Sequence, residues 1–392
     1  MIAVGFALLP LSTDMTIASF PGMVRYFGVS VSRVQATLSL FVIAFAVSQL
    51  VYGPLSDRFG RRPVLLGGMA VYVAATVACL FAPSIDALLA ARFLQAIGCC
   101  AATVIGRAII RDVHGAEGTA RMLAYTSAAT AILILLGPML GGWLEQQFGW
   151  RANFAFLTLL GAAFLAAVAA KLEESNLNPD RGATRVGQTL VNYRLLLADR
   201  RFTGHALVVA CSYGGVMAFL SGAPFVLMGM LGLSASRFGL VFGLTILGYI
   251  GTSLISARLV MRVGTARMLA IGTPLAAAAG TLMAGLALAG VHTVAAIVAP
   301  YTLFLLATGL NQPSAVAGAI GPFPRIAGTA SALLGFMQLG AGALVGLLVG
   351  RLYDGTPVPM TMAIALSTWG AALSFLLVAR PGAAVQRFDK TV

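Results

Sequence analysis

Two ionisable side chains fall inside stretches that are otherwise apolar: Asp14 in Leu11-Ser12-Thr13-Asp14-Met15, and Arg92 in Arg92-Phe93-Leu94-Gln95. A charge at the centre of a membrane-spanning helix costs on the order of 3 kcal/mol, so each calls for a wet cavity or a polar partner. Burial makes a carboxyl hold its proton more tightly, and a cation brought near loosens it. An acid that two conformations surround differently can therefore take up and release a proton as the chain moves between them. Asp14 and Arg92 are accordingly the candidates for proton coupling. The plain alternative is a fixed Asp14–Arg92 ion pair that only holds two helices together.

A second group is Gly53-Pro54-Leu55-Ser56-Asp57-Arg58-Phe59-Gly60-Arg61-Arg62-Pro63. Glycine and proline permit a tight turn, while one carboxylate and three guanidiniums supply ion pairs that can be exchanged at a membrane surface. A third is Gly137-Pro138-Met139-Leu140-Gly141-Gly142. There proline removes a helix hydrogen bond and the glycines let another helix pack close. Gln49, Tyr213, Phe219, Tyr249, Tyr301, Asn311 and Gln312 are weaker candidates for an amphipathic substrate pocket. The chain has no H-E-x-x-H, no G-x-S-x-G and no G-x-x-x-x-G-K-[ST]. The sequence thus offers no metal, nucleophile or nucleotide-binding loop for an enzyme or an ATP-driven pump, and no cofactor or metal is expected. Cys79, Cys99, Cys100 and Cys211 read as packing residues without metal-ligand spacing.

The elements that must position these groups follow from composition. Of 392 residues, 59% are hydrophobic and 9% charged, against about 25% charged in a soluble domain. Apolar stretches near 20 residues long recur along the chain, each enough to span a bilayer. Spans are predicted at 2–23, 37–56, 64–82, 87–106, 121–144 and 152–170, then at 204–228, 239–257, 268–289, 294–316, 328–350 and 359–379. The first is read as a span, not a signal peptide. The polar stretch 171–203 divides them into two bundles, 1–170 and 204–392, and reads as a linker. With the N-terminus inside, the cytoplasmic segments hold 19 Lys and Arg and the outer loops 5, which places both termini and the linker in the cytoplasm. The net charge of +13 reflects this bias and not nucleic-acid binding. Asp57-Arg58-Phe59-Gly60 aligns with Met261-Arg262-Val263-Gly264 at an offset of 204, as a duplicated six-helix unit would.

The segment 53–62 matches G-x-L-S-D-R-x-G-R-R at every defined position and so resembles the loop signature of the major facilitator superfamily. Gly137, Pro138, Gly141 and Gly142 resemble that superfamily's antiporter motif, G-P-x-x-G-G. Ser12-Thr13-Asp14-Met15 with Phe20-Pro21 is similar to the twelve-helix drug:proton antiporters, in particular the bicyclomycin and chloramphenicol resistance group. The resemblance implies an all-α polytopic fold of 12 transmembrane helices in two pseudo-symmetric six-helix bundles. It implies an inner-membrane, monomeric secondary exporter that swaps protons for small amphipathic compounds, with a proton-coupled importer as the alternative on the same fold. It implies too that Gly53, Asp57, Arg58, Gly60, Arg61, Arg62 and Asp112 form a conformational latch. In that latch Asp57 meets the helix N-terminus near Gly328 to Ser331 and Arg61 pairs with Asp112.

Overall fold

The computed structural model describes residues 2–176, 186–323 and 326–379; positions 177–185 of the expected linker and the residues beyond 379 lie outside them. The described residues are helical almost throughout. Among the described residues, ten helices are long and apolar enough to cross a membrane. The first predicted span is a bent pair, α1 (Ile2–Ile17) and α2 (Phe20–Phe27), broken by 60°. Pro21 lies in the first turn of α2, where its missing N–H and its ring cannot continue the preceding helix. This pair makes an eleventh span.

The twelfth is hidden inside α5, whose helical backbone runs without interruption over 64 residues, Ile85–Phe148. At 1.5 Å per residue that is roughly three bilayer thicknesses. The packing shows a reversal: Ala102 lies against Gly5 and Gly106 reaches Ile2, so α5 first passes α1 antiparallel. Thr130 bonds to Ala3, and Gly137 and Gly141 lie on Leu11 and Met15, so it returns parallel. The two passes are the spans expected at 87–106 and 121–144, joined by a connection that the sequence reading left non-helical.

The remaining elements are α3 (Val31–Phe59), α4 (Arg61–Leu80), α6 (Trp150–Lys171), α7 (Val186–Ala198), α8 (Arg200–Ala223, continued by a π-helical turn to Met230), α9 (Ala235–Val263), α10 (Thr265–Leu288), α11 (Val294–Ile320), α12 (Ala327–Leu352) and α13 (Val358–Ser374). The expected linker thus carries a helix of its own, and the seventh span starts four residues earlier than expected. Asp199 is the reason, since its carboxylate caps α8 by accepting from the N–H of Arg201 and Phe202.

These twelve passes form two six-helix bundles. In the first, α1, α3, α4 and α6 pack around α5; in the second, α8 packs on α12 and α13, and α11 on α9 and α10. In lipid no hydrophobic drive pulls helices together, so small residues that let backbones approach carry the packing. Gly98 sits on the backbone of Gly68 and Tyr72, and Gly309 on that of Tyr249. The duplication is visible in the backbone: Gly60 (φ 96°, ψ 155°) and Gly264 (φ 84°, ψ 155°), 204 positions apart, end α3 and α9 in the same left-handed turn. That conformation is open to glycine and strained for other residues.

Two seams join the bundles, α3 against α12 and α5 against α9. The face of the molecule bearing Gly53–Pro63 is called here the motif face, and the opposite one the far face.

Candidate transport site and gates

Asp14 lies on α1 between Thr13 and Met15, both buried, yet is itself only half-buried. One face of α1 therefore opens onto accessible space while the rest packs on α5. Thr13 Oγ1 donates to Asp14 Oδ1 at 2.7 Å. Among the described residues no cation lies within ion-pair distance of Asp14. Its surroundings come from the other bundle: Tyr213 of α8 and Tyr301 of α11 are within Coulombic reach, and Tyr213 is in turn within reach of Tyr249 of α9. Tyr301 is fully buried, its ring parallel to that of Phe219 with centroids 3.5 Å apart. The Tyr301 hydroxyl has no hydrogen-bond partner among the described residues. An acid facing neutral hydroxyls and no fixed cation can exchange a proton or meet a cationic ligand without first breaking an ion pair.

Arg92 is placed elsewhere, and the fixed Asp14–Arg92 pair is not formed. The guanidinium is 1% exposed inside the first bundle. It donates from Nη1 to Gln95 Oε1 at 2.6 Å, and Gln95 donates onward to Thr76. Its carbon lies 4.3 Å from the ring centroid of Phe41 and 5.8 Å from that of Phe154. Cation–π contact and an amide replace the carboxylate that such a charge would ordinarily require. The sequence called for a wet cavity or a polar partner at Arg92, and here it is the polar partner, Gln95, that the guanidinium meets.

The pocket candidates divide. Gln49, Tyr213, Tyr249 and Gln312 are half-buried, whereas Phe219, Tyr301 and Asn311 are buried. In this conformation the first four present surface, whereas Phe219 and Tyr301 stack on each other in the interior. Asn311 turns its amide toward Gly272 of α10, with both polar atoms lacking partners among the described residues. Gln49 reaches Gly335 of α12 and so bridges the two bundles.

On the motif face the ion pairs among the described residues lie within the first bundle. Arg61, 4% exposed, meets Asp57 at 2.5 Å and donates from Nε to Asp112 at 2.9 Å and from Nη1 to Ser56 Oγ at 2.7 Å. Arg62 donates to the Ala169 carbonyl, and Arg58 lies over the Phe59 ring. Asp57 makes no described contact with α12. Nothing lies within 4 Å of the position a Cβ would take on Gly328 in the first turn of that helix, and the same is true of Gly53.

The antiporter-like segment belongs to the seams. Gly137 rests on Leu11 and Gly141 on the Met15 backbone, while Gly142 lies on the carbonyl of Ala235 and the Pro138 carbonyl on Gly239, both in α9.

Several positions were not foreseen from the sequence. Glu174 and Asn176, just past α6, clasp the motif loop: Glu174 accepts from the N–H of Arg61 (2.8 Å) and Arg62 (3.0 Å), and Asn176 donates to the Asp57 carbonyl (3.0 Å). Partial burial alone would raise the Glu174 carboxyl, but the N–H groups of Asn176, Arg61, Arg62 and Ser175 together hold it below its ordinary range. Gln35, fully buried, donates across the α3–α12 seam side to the Ser221 carbonyl at 2.7 Å. Gln35 lies two positions before the span expected at 37–56, and nothing in the sequence marked it.

Comparison with known proteins agrees with this architecture. Residues 2–347 match the Major Facilitator Superfamily, and the chain belongs to that family of membrane transporters. It is 32% identical over 350 residues to "Multidrug resistance protein D" of Escherichia coli (strain K12), covering 88% of this chain and 86% of that one. It is 28% identical over 374 residues to "Bicyclomycin resistance protein homolog" of Haemophilus influenzae, covering 95% and 92%. Among solved structures, the partially occluded inward-open xylose transporter XylE from E. coli superposes with a TM-score of 0.73 at 15% identity, covering 98% of each chain. That last likeness speaks to the fold alone.

Proposed function

We propose that this transporter exports small amphipathic compounds in exchange for protons, by rocking bundles 1–170 and 204–392 about the linker 171–203. The motif face is read as cytoplasmic, from the excess of Lys and Arg in the segments on that side. On this reading the chain is a monomer in a bacterial inner membrane with both termini inside. The resistance names of the two relatives support a drug-like cargo.

The observation that carries the reading is the half-buried Asp14 of one bundle within Coulombic reach of Tyr213 and Tyr301 of the other, with no cation at ion-pair distance among the described residues. A proton on Asp14 and a cargo beside it compete for the same space, and rocking changes which side of the membrane supplies each. Arg92, sealed behind Phe41 and Phe154, serves on this view as a positioning residue for α5 and not as a proton carrier. Asp57, Arg61 and Asp112 are read as the latch that engages α12 when the motif face closes. Inverted vesicles test the reading: cargo added to vesicles holding a pH gradient should discharge it with the intact chain and not with Asp14→Asn. An unchanged discharge by the variant removes Asp14 from coupling, and a gradient deepened by cargo makes the protein an importer.

A further inference from the structure

A cavity of about 440 Å³ opens on the far face, away from Asp14, with walls from both bundles: Gly22, Arg25, Glu145 and Gln146 from the first, Ser234 and Ala235 from the second. Three observations meet there. Gln146 Oε1 accepts from the N–H of Ser236 at 3.2 Å, a hydrogen bond from the end of α5 to the first turn of α9. Glu145, half-buried beside it, receives a hydrogen bond from Ser19 at the break between α1 and α2, and Ser19 accepts from Asn153 of α6 at 2.9 Å. Its Oε2 is shielded and has no partner among the described residues. Arg25 of α2 shares the cavity and is within Coulombic reach, but forms no ion pair with Glu145 among the described residues. The cavity-lining residues of α9 and of the π-helical turn after α8 add no titratable group.

The first turn of a helix leaves N–H groups without intrahelical partners and carries a partial positive charge. An amide oxygen seated on it satisfies one donor, and a carboxylate beside it is attracted to the rest. We propose that Gln146 and Glu145 are positioning residues of a far-face clamp, which holds the two bundles together there by seating on the N-terminus of α9. The clamp is the counterpart, with the bundles' roles kept, of the motif-face latch in which Asp57 addresses the N-terminus of α12. Closing one leaves the other open, as this conformation has Gln146 seated and Asp57 turned to Arg61. Because Glu145 stands at the outer mouth, acid on that side neutralises it and weakens the clamp. The proton that drives export thereby also favours opening toward its own source. This inference rests on the rocking of the bundles but not on the chemistry of Asp14, so Asp14→Asn can leave proton coupling intact while the clamp stands.

Nitroxide labels at Ser30 and Leu240, in a full-length chain with its four cysteines replaced by alanine, report the far-face separation by pulsed electron-spin distance measurement. Gln146→Ala should raise the long-distance population at least threefold at both pH 6 and pH 8. Glu145→Gln should raise it at pH 8 and abolish most of its rise on acidification, and Glu145→Asp should restore that rise. Gln146→Glu, which adds negative charge at the same helix end, should lower it. Wild-type distributions and pH response in Gln146→Ala and Glu145→Gln would overturn the proposal, as would a rise with Gln146→Glu. Should Gln146→Ala fail to fold, the opposite signs required of Glu145→Gln and Gln146→Glu decide alone.

Discussion

The two faces of the molecule stand in opposite states and are built from different parts. On the far side Phe20 stacks on Phe225, Gln35 bonds to the Ser221 carbonyl, and Gly142 and Gly239 bring α5 and α9 into backbone contact. On the motif side the described bonds of the charged loop run to its own bundle and to the start of the linker, through Arg61, Asp112 and Glu174, and Gly328 of α12 stands clear. The far side closes with small residues, carbonyls and buried amides; the motif side is equipped with charges. Close packing between glycines has a short range and no tolerance for added atoms, whereas ion pairs can be exchanged between partners at a wet surface at low net cost. The seam that seals by packing and the loop that seals by charge should therefore respond to different perturbations.

The largest effect is expected where the packing has no slack. A side chain on Gly239 would run into the Pro138 carbonyl, and the backbone cannot move aside as a flexible side chain would. Gly239→Val should hold the far side apart and reduce transport more than tenfold, with the protein still inserted; wild-type transport by this variant would show that the α5–α9 seam need not close. Next comes Asp57→Asn. It removes the anion available to the α12 N-terminus and one of the two carboxylates on Arg61. Transport should fall several-fold with expression unchanged, and accessibility of a cysteine at Gly328 to a water-soluble thiol reagent should rise because the motif face closes less often. If accessibility and transport both match the parent chain, the charged loop is not a latch. Gln35→Leu should act in the reverse sense. It removes the hydrogen bond to the Ser221 carbonyl in the buried seam, about 0.5–1.5 kcal/mol in net cost, and should shift the chain toward far-side opening by roughly two- to tenfold, read with the same spin labels. No shift would assign that hydrogen bond to packing alone.

The difference between the two faces also explains what could be read in advance. The motif loop was legible because its turn conformation and its charges both constrain residue type: Gly60 must take φ 96°, and Arg61 must satisfy Asp57 and Asp112 together. Spans were legible by length, and the twelve passes fall where apolar stretches lay. The seams were not. Gly142 and Gly239 are two among 45 glycines, and nothing in their neighbours marks the ones that touch across bundles. The helical continuity of α5 is decided by tertiary packing, which overrides local propensity. The surroundings of Arg92 were hidden for a related reason. Sequence shows a charge at membrane depth but not the Phe41 and Phe154 rings that let it stay sealed without an acid.

The smallest expected effect sits where the motif loop meets the end of α6. Glu174 caps α4 through the N–H of Arg61 and Arg62, a role that in exposed helices contributes about 0.5–2 kcal/mol and here belongs at the low end, because the carboxylate is largely in solvent. Its carboxyl is held below the ordinary range, so the folded state favours the ionised form. The stabilisation is then fully present at neutral pH, above the usual glutamate value near 4.3, and is lost as pH falls through the lower folded value. Glu174→Gln should lower the melting temperature in detergent by one or two degrees at pH 7, and the gap from the parent should shrink as the solution is acidified below pH 4. A gap that stays constant with pH would mean the glutamate caps by shape and not by charge. The charged face of the molecule would then owe part of its order to packing of the far-face kind.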